Sequence, residues 1–355
     1  MNKIKLLILQ NSIPEYRIPV YNHLSEDYDV TVTYTKKNAS TSNDFFNSHH
    51  LITKKIGPFE VHKDLFSICK KYDVVVYEPN LHFIDFCLLP FLPHKYKTIT
   101  HSIGFRASYT RKYDLYRKKT IADYLLKYIM LKSDAMLFYM KENIDFWNFS
   151  DKIKKRCFEA RNTVQVKPVI SNKNRNTILF VGSLYREKGV EILINAYKDA
   201  IASIGYDNFP HLIIIGDGPL RSHIETILIE SSLTSFIHME GAIYDESVLA
   251  KYFSNALVCV SPTQAGLSVP KSMGYGVPFV TVKNAVTGGE INHIADGENG
   301  ILMNSVDNLK DILIDVHMHR DKYIKMGLVS KKYYDNCANI GIMVKGYKNA
   351  IEYVL

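Results

Sequence analysis

The sequence predicts an α/β chain of two doubly wound domains in series, each a parallel sheet covered by helices. Three observations carry this. The chain has 355 residues, more than one ordinary core fills and suited to two domains of roughly 150–180 residues. Short apolar, β-branched runs recur, most of them ending in Gly, Pro or Ser and followed by segments whose apolar residues fall three and four apart. Between two sets of such runs lies a polar stretch with one proline, VQVKPVISNKNRNT (164–177), which reads as a linker. The expected division is a first domain over 1–165, a second over 166–325, and a helical tail over 326–355 that packs back toward the first.

In the first domain the strands are KIKLLILQ (3–10), DVTVTYT (29–35), DVVVYEP (73–79), TITHS (98–102) and AMLFYM (135–140), with helices over RIPVYNHLSE (17–26) and KENIDFWNFS (141–150). In the second they are TILFVG (177–182), HLIIIG (211–216), LVCVSP (257–262) and PFVTV (278–282). Between these, GVEILINAYKDA, RSHIETILIESS and DESVLAKYFSNA have helical spacing, the last with Asp245 as its N-cap.

The net charge of +8 divides unevenly: residues 1–170 hold 27 Lys and Arg against 17 Asp and Glu, and residues 171–355 hold 17 against 19. The two halves therefore face different partners, and the positive first half suits an acceptor that is acidic or lies on an anionic membrane. The basic segment Arg106–Lys119, RASYTRKYDLYRKK, carries six basic residues and one acidic. It suits an anionic membrane surface, where each cation near the lipid contributes about 1 kcal/mol; the alternative is a solvated helix face. No nucleic-acid-binding module accompanies it, so nucleic acid is not the expected partner. The five cysteines are widely spaced, with neither C-x-x-C nor a histidine at ligand distance, and are read as reduced thiols rather than a disulfide frame or a metal site. No apolar run reaches a spanning length. The start, MNKIKLLILQNS, reads as a first strand and not a signal peptide, so a cytoplasmic chain is expected.

Ligands of open parallel sheets gather beyond the carboxyl ends of the strands, where unpaired N–H groups and close-approaching glycines favour anions. Three loops of the second half answer to this. VGSLYREKGVEIL offers Gly182 and Ser183, then Arg186 and Lys188. IIIGDGPLRSH offers Gly216 and Gly218. SPTQAGLSVPKSMGYG offers Thr263, a turn at Gly266, the N–H groups of Leu267 and Ser268, and Lys271. Singly, a G-x-G is a tight turn and a loop lysine a solvated charge. Three such loops on one predicted edge point to phosphate, with Lys188 and Arg186 as cationic partners.

These motifs resemble the second half of retaining glycosyltransferases of the GT-B fold, the family-4 group of bacterial surface-polysaccharide enzymes. The resemblance lies in FVGSLYREKG (180–189), IIGDGPL (214–220), SP (261–262) with GLSV (266–269), SMGYGVPFV (272–280) and EINHIADGENGIL (290–302). More loosely, IPEYRIPVYNHL (13–24), TITH (98–101) and ARNT (160–163) are similar to the family's first half. The resemblance implies two Rossmann-like domains facing a central cleft, the first (1–165) binding the acceptor and the second (166–325) the nucleotide sugar, and transfer of a sugar from a nucleoside diphosphate to a glycan or lipid-linked glycan. It further implies retention of configuration, no obligatory metal or other cofactor, and a role in O-antigen or capsule synthesis. It makes Lys188, Arg186 and His101 the catalytic candidates. Gly182, Ser183, Gly216, Gly218, Thr263, Gly266, Leu267, Ser268, Lys271 and Glu290 are the donor-binding ones.

The chain departs from the family at two glutamates with seven residues between them, which meet the sugar and the ribose; Thr263 and Lys271 stand at the matching positions, and Ser183 stands for a common arginine. Glu290 is a hydroxyl acceptor that could substitute for the missing pair, or the cap of a following helix. His101 orients acceptor or donor, or is a strand-end histidine bonded to nearby backbone. Two other functions share the architecture: a non-catalytic partner subunit, and a nucleotide-sugar epimerase.

Overall fold

The computed structural model describes residues 3–106, 113–168, 172, 174–205 and 207–355. The chain forms two compact units, one of residues 1–162 with 340–355 and one of 163–339.

Each unit is built on a wholly parallel sheet. In the first the strand order is Asn47–His50, Asp29–Tyr34, Lys5–Ile8, Val74–Tyr77, Lys97–Ser102, Ala135–Phe138 and Cys157–Glu159. In the second it is Ile237–Gly241, His211–Ile215, Thr177–Val181, Ala256–Val260, Phe279–Val282 and Gly300–Met303. The central strands are apolar on both faces, as buried parallel strands must be: Val74–Tyr77 and Ala256–Val260 are buried at every position. In each sheet successive strands run outward in both directions from a switch point. It lies between Lys5–Ile8 and Val74–Tyr77 in the first unit, and between Thr177–Val181 and Ala256–Val260 in the second.

The segment read as a linker is not free. Val164 accepts a hydrogen bond from the Tyr334 hydroxyl at 2.7 Å. Arg175 is buried and donates to the carbonyls of Ala256 (3.1 Å) and Gly276 (2.7 Å). A guanidinium can fasten polar chain to a sheet edge through backbone carbonyls, a partnership that composition does not reveal. The tail also divides. Helix Arg320–Tyr333 and the turn after it belong to the second unit, whereas helix Ile340–Val354 belongs to the first. There Met343, Tyr347 and Ile351 join the core made by Leu6, Ile8, Val74 and Val76. Gly346 is what lets this helix lie on the last strand, since a Cβ there would meet the Glu159 carbonyl oxygen at 2.0 Å.

One expected helix is interrupted. Over 141–150 only Lys141–Asp145 is helical, because Asn148 takes a left-handed backbone (φ 45°) and the Trp147 indole turns to donate to the Gly104 carbonyl at 2.9 Å. Asp245 caps its helix as predicted, accepting the Ser247 N–H at 2.7 Å. None of the five cysteines forms a disulfide. Among the described residues no helix is long and apolar enough to cross a membrane.

Candidate functional site

The loops that leave Thr177–Val181 and Ala256–Val260 flank the switch point of the second sheet, the place where such sheets hold ligands. The first loop is fixed by the one beside it. Gly182 donates its N–H to the Ile215 carbonyl at 2.9 Å, Leu184 to Asp217 at 2.9 Å, and Leu220 back to Leu184 at 3.0 Å. Gly216 is where the two backbones touch, since a Cβ there would lie 1.9 Å from the Gly182 oxygen, and its φ of +152° also suits glycine. The glycines of G-D-G thus pack loop on loop. They build the rim of the sheet's carboxyl edge.

The third loop is stitched to the first by Thr263, whose hydroxyl donates to the Glu187 carbonyl at 2.7 Å, and by Tyr185, whose hydroxyl donates to Gln264 Oε1 at 2.7 Å. Gly266 contrasts with Gly216: its φ is not positive and a Cβ there would meet nothing within 4 Å. The fold does not require glycine at 266. Beyond it, the N–H groups of Leu267 and Ser268 make no hydrogen bond among the described residues. The buried hydroxyl oxygens of Ser261 and Ser268 have no partner either. Unpartnered polar groups gathered in one loop call for an explanation.

Lys188 closes the arrangement. It ends a short 3-10 turn, Arg186–Lys188, and its side chain runs back over Gly182, where a Cβ would sit 3.3 Å from Nζ. Its ammonium makes no hydrogen bond or ion pair among the described residues. Burial lowers its pKa below the ordinary lysine value, against the opposing pull of Cys259 and Glu290. Glu290 is itself buried and held by its own loop, accepting from the Gly288 N–H at 2.8 Å and the Thr287 hydroxyl at 3.1 Å. It folds the preceding loop back on itself.

Two candidates, Lys271 and His101, bond elsewhere. Lys271 is drawn into an ion pair with Glu246 at 2.8 Å, and the Tyr275 hydroxyl donates to the other oxygen of that carboxylate at 2.6 Å. A carboxylate thus does stand beside position 271, supplied by the first turn of the helix after Ile237–Gly241. Only the tertiary fold brings it there, and nothing in the local pattern of residues marks it. Arg186 is exposed. Ser183 is also exposed. His101 lies in the first unit, 4% exposed, with Nδ1 2.7 Å from the Tyr347 hydroxyl; its Nε2 has no partner among the described residues. Its bond is to a side chain of the returning helix, not to nearby backbone. Burial, then the nearby Arg17, holds its pKa well below the usual histidine value, so the ring is neutral.

Residues 175–318 match the Glycosyl transferases group 1 family. An uncharacterized glycosyltransferase of Methanocaldococcus jannaschii is 26% identical over 218 residues, 59% of this chain and 57% of that protein. The match thus spans little more than half of that relative's length. Among solved structures, HepE of Anabaena in complex with UDP superposes with a TM-score of 0.70 at 11% identity, covering 98% of this chain and 100% of that one. WaaG, a glycosyltransferase involved in lipopolysaccharide biosynthesis, superposes at 0.63 and 15% identity over 96% and 98%.

Proposed function

We propose that this chain, a glycosyltransferase with the GT-B pair of Rossmann-like domains, transfers a sugar from a nucleoside diphosphate with retention of configuration, and that its second unit holds the diphosphate on the loops around Lys188. The carrying observation is the Lys188 ammonium: half-buried, without a hydrogen-bonding counterion, and beside a loop whose Leu267 and Ser268 N–H groups are unpartnered. A buried cation left unpaired costs stability, so its presence asks for an anion that arrives. The neighbours' UDP complexes support a nucleotide-sugar donor. As the sugar–phosphate bond breaks, charge grows on the diphosphate. Fixed donors then stabilise the transition state more than the ground state, with no metal required. Lys271, neutralised by Glu246, serves to hold the loop and not to meet phosphate.

A panel of nucleoside diphosphates tests the reading. At about 100 times Kd a ligand of the folded state alone adds about 2.7 kcal/mol, read as a raised melting temperature. Gly266→Ala should leave the melting temperature of the free protein nearly unchanged, since nothing lies near its Cβ, and should shrink the nucleotide-induced rise. If no diphosphate stabilises the protein, the donor site is refuted and the non-catalytic subunit becomes the better reading.

The acceptor proposed is a glycan or lipid-linked glycan of surface-polysaccharide synthesis, met at the inner face of the cytoplasmic membrane. Residues 107–112 of the basic segment lie outside the described residues. Of the rest, Arg117 is not free for lipid, because it holds Asp123 through two 2.8 Å bonds. What supports membrane contact is helix Ile121–Lys132 next to it. Ile121 is 90% exposed and Tyr124, Leu125 and Tyr128 about half. The Phe91 ring adjoins Tyr128 at 5.5 Å, and Lys127 and Lys132 flank the patch. Apolar side chains amid lysines suit an anionic bilayer surface. The protein should sediment with phosphatidylglycerol vesicles at low salt, and Ile121→Glu with Leu125→Glu should release it. Sedimentation equal to that with neutral phosphatidylcholine would refute the contact.

A further inference from the structure

The amino edge of the first sheet holds a cavity that sugar transfer does not use. It opens where Val74–Tyr77 and Lys97–Ser102 begin, at the other end of these strands from the switch-point loops, and has a volume of about 740 Å³. Cavities of this size hold small organic molecules. Lys70, Lys95 and Lys97 line it, and Asp73 is the one acidic side chain among the lining residues.

The local fold accounts for little of this charge. Lys70 follows the short helix Leu65–Cys69, whose carbonyl end favours a cation. Lys95 and Lys97 follow no helix, since residues 92–96 are irregular. Lys97 has Asp134 at 3.7 Å, but the other oxygen of that carboxylate is taken by the Thr98 N–H at 2.8 Å and hydroxyl at 3.0 Å. Asp73 is likewise held, accepting the Lys5 N–H at 2.8 Å. The aromatic part of the lining is fixed. His94 Nδ1 donates to the Tyr96 carbonyl at 2.7 Å, and the two rings stack with centroids 4.2 Å apart. Nδ1 thus carries the hydrogen, and Nε2 remains for a ligand. Tyr96 is 4% exposed, yet its hydroxyl makes no hydrogen bond among the described residues. A tyrosine so deeply placed usually spends its hydroxyl within the protein. Tyr77 of the same core does so, bonding Ser133 Oγ at 2.8 Å. Burial raises the Tyr96 pKa, so its hydroxyl stays protonated and can donate.

We propose that this cavity seats an organic phosphate, distinct from the donor's diphosphate, and that Lys95, Lys97 and the Tyr96 hydroxyl hold its phosphate group. Two ammonium groups beside a neutral hydroxyl donor suit an anion with several acceptor oxygens, and bonds from cations to phosphate are the strong ones. The cavity is larger than a phosphate fills, so the ligand carries an organic body, which lies against Tyr72 and Pro93. A phosphate monoester on glycerol or a sugar has this chemistry, and so does the headgroup of an anionic lipid. The evidence lies wholly in the first unit, at the edge away from its carboxyl-end loops, and takes nothing from Lys188 or the transferase reading.

The test titrates the full chain with glycerol 3-phosphate by calorimetry, with glycerol as the uncharged control, and measures sedimentation with phosphatidic acid vesicles. One of the two phosphates should bind, and glycerol should not. Lys95→Ala with Lys97→Ala should weaken binding roughly tenfold or more, as loss of a charge-assisted bond does. Tyr96→Phe should weaken it severalfold, an effect that a loose cluster of surface charge would not show. Lys54→Ala with Lys55→Ala removes the same charge from the exposed strand Thr53–Ile56 and should leave binding nearly unchanged, as should Lys188→Met. Lys95 and Lys97 are exposed, and unchanged melting temperatures would show the variants folded. Binding of free glycerol 3-phosphate through Lys95 and Lys97 identifies a soluble ester as the ligand; binding of the vesicles alone through the same residues identifies a lipid. No binding in either arm, equal binding by the parent and the Lys95–Lys97 variant, or an equal loss in the Lys54–Lys55 variant would each overturn the proposal. Loss of binding on Lys188→Met alone would place the ester on the donor loops and overturn it too. Nucleoside-diphosphate stabilisation that persists in the Lys95–Lys97 variant keeps the donor reading separate from either result.

Discussion

Lys188→Met should lower kcat/KM for sugar transfer by about 10²- to 10³-fold, on the order of 2.7–4 kcal/mol of barrier, the usual loss for one preorganised oxyanion partner. The same change should leave stability unchanged or slightly higher. The reason is the desolvation of the ammonium, which makes no hydrogen bond among the described residues and whose pKa is lowered from the ordinary 10.5. For a lysine depressed on folding, the charged form is the disfavoured one. Its destabilising contribution is therefore full below the folded pKa and disappears as pH rises through that value toward the unfolded one. Methionine keeps the aliphatic stem over Gly182 and removes the charge. The parent's activity should fall at alkaline pH, earlier than an ordinary lysine would dictate, because the cation that meets the diphosphate is being lost. Transfer unaffected by Lys188→Met in a protein that still binds nucleotide would remove Lys188 from the chemistry.

Gly216→Ala should be the most damaging single methyl in the second unit. The new Cβ would fall 1.9 Å from the Gly182 oxygen and 2.8 Å from its carbonyl carbon. Both are backbone atoms, held by the Gly182–Ile215 and Leu184–Asp217 hydrogen bonds. Overpacking and a strained φ together cost about 3 kcal/mol or more, or roughly 6–12 °C in the melting of a unit this size. Calorimetry would show it as a lowered transition. Gly266→Ala is the matched control, and a similar loss there would mean that its loop is packed differently from the geometry described.

That pair shows what was legible beforehand. Both glycines were singled out as ligand-approaching, on the strength of a glycine following a strand. Sequence alone cannot distinguish a glycine needed by the neighbouring backbone from one with open space before it, because the difference lies between loops about 30 or more residues apart. The strands at the sheet centres were legible, since burial on both faces leaves an unbroken apolar run. Asn47–His50 was not: all four residues of NSHH are exposed at a sheet edge, so no hydrophobic pattern marks it. Ile237–Gly241 is also an edge strand, with Glu240 exposed. For the site, Lys188 and the N–H groups of Leu267 and Ser268 could be read from local motif order. The Glu246 partner of Lys271 could not, nor could the Tyr347 anchor of His101, 246 residues away.

The same distance bears on how the molecule is made. Met343, Tyr347 and Ile351 are the last pieces of a core whose other members begin at Leu6, while the second unit needs nothing beyond residue 339. The half translated earlier must wait for the closing helix to emerge.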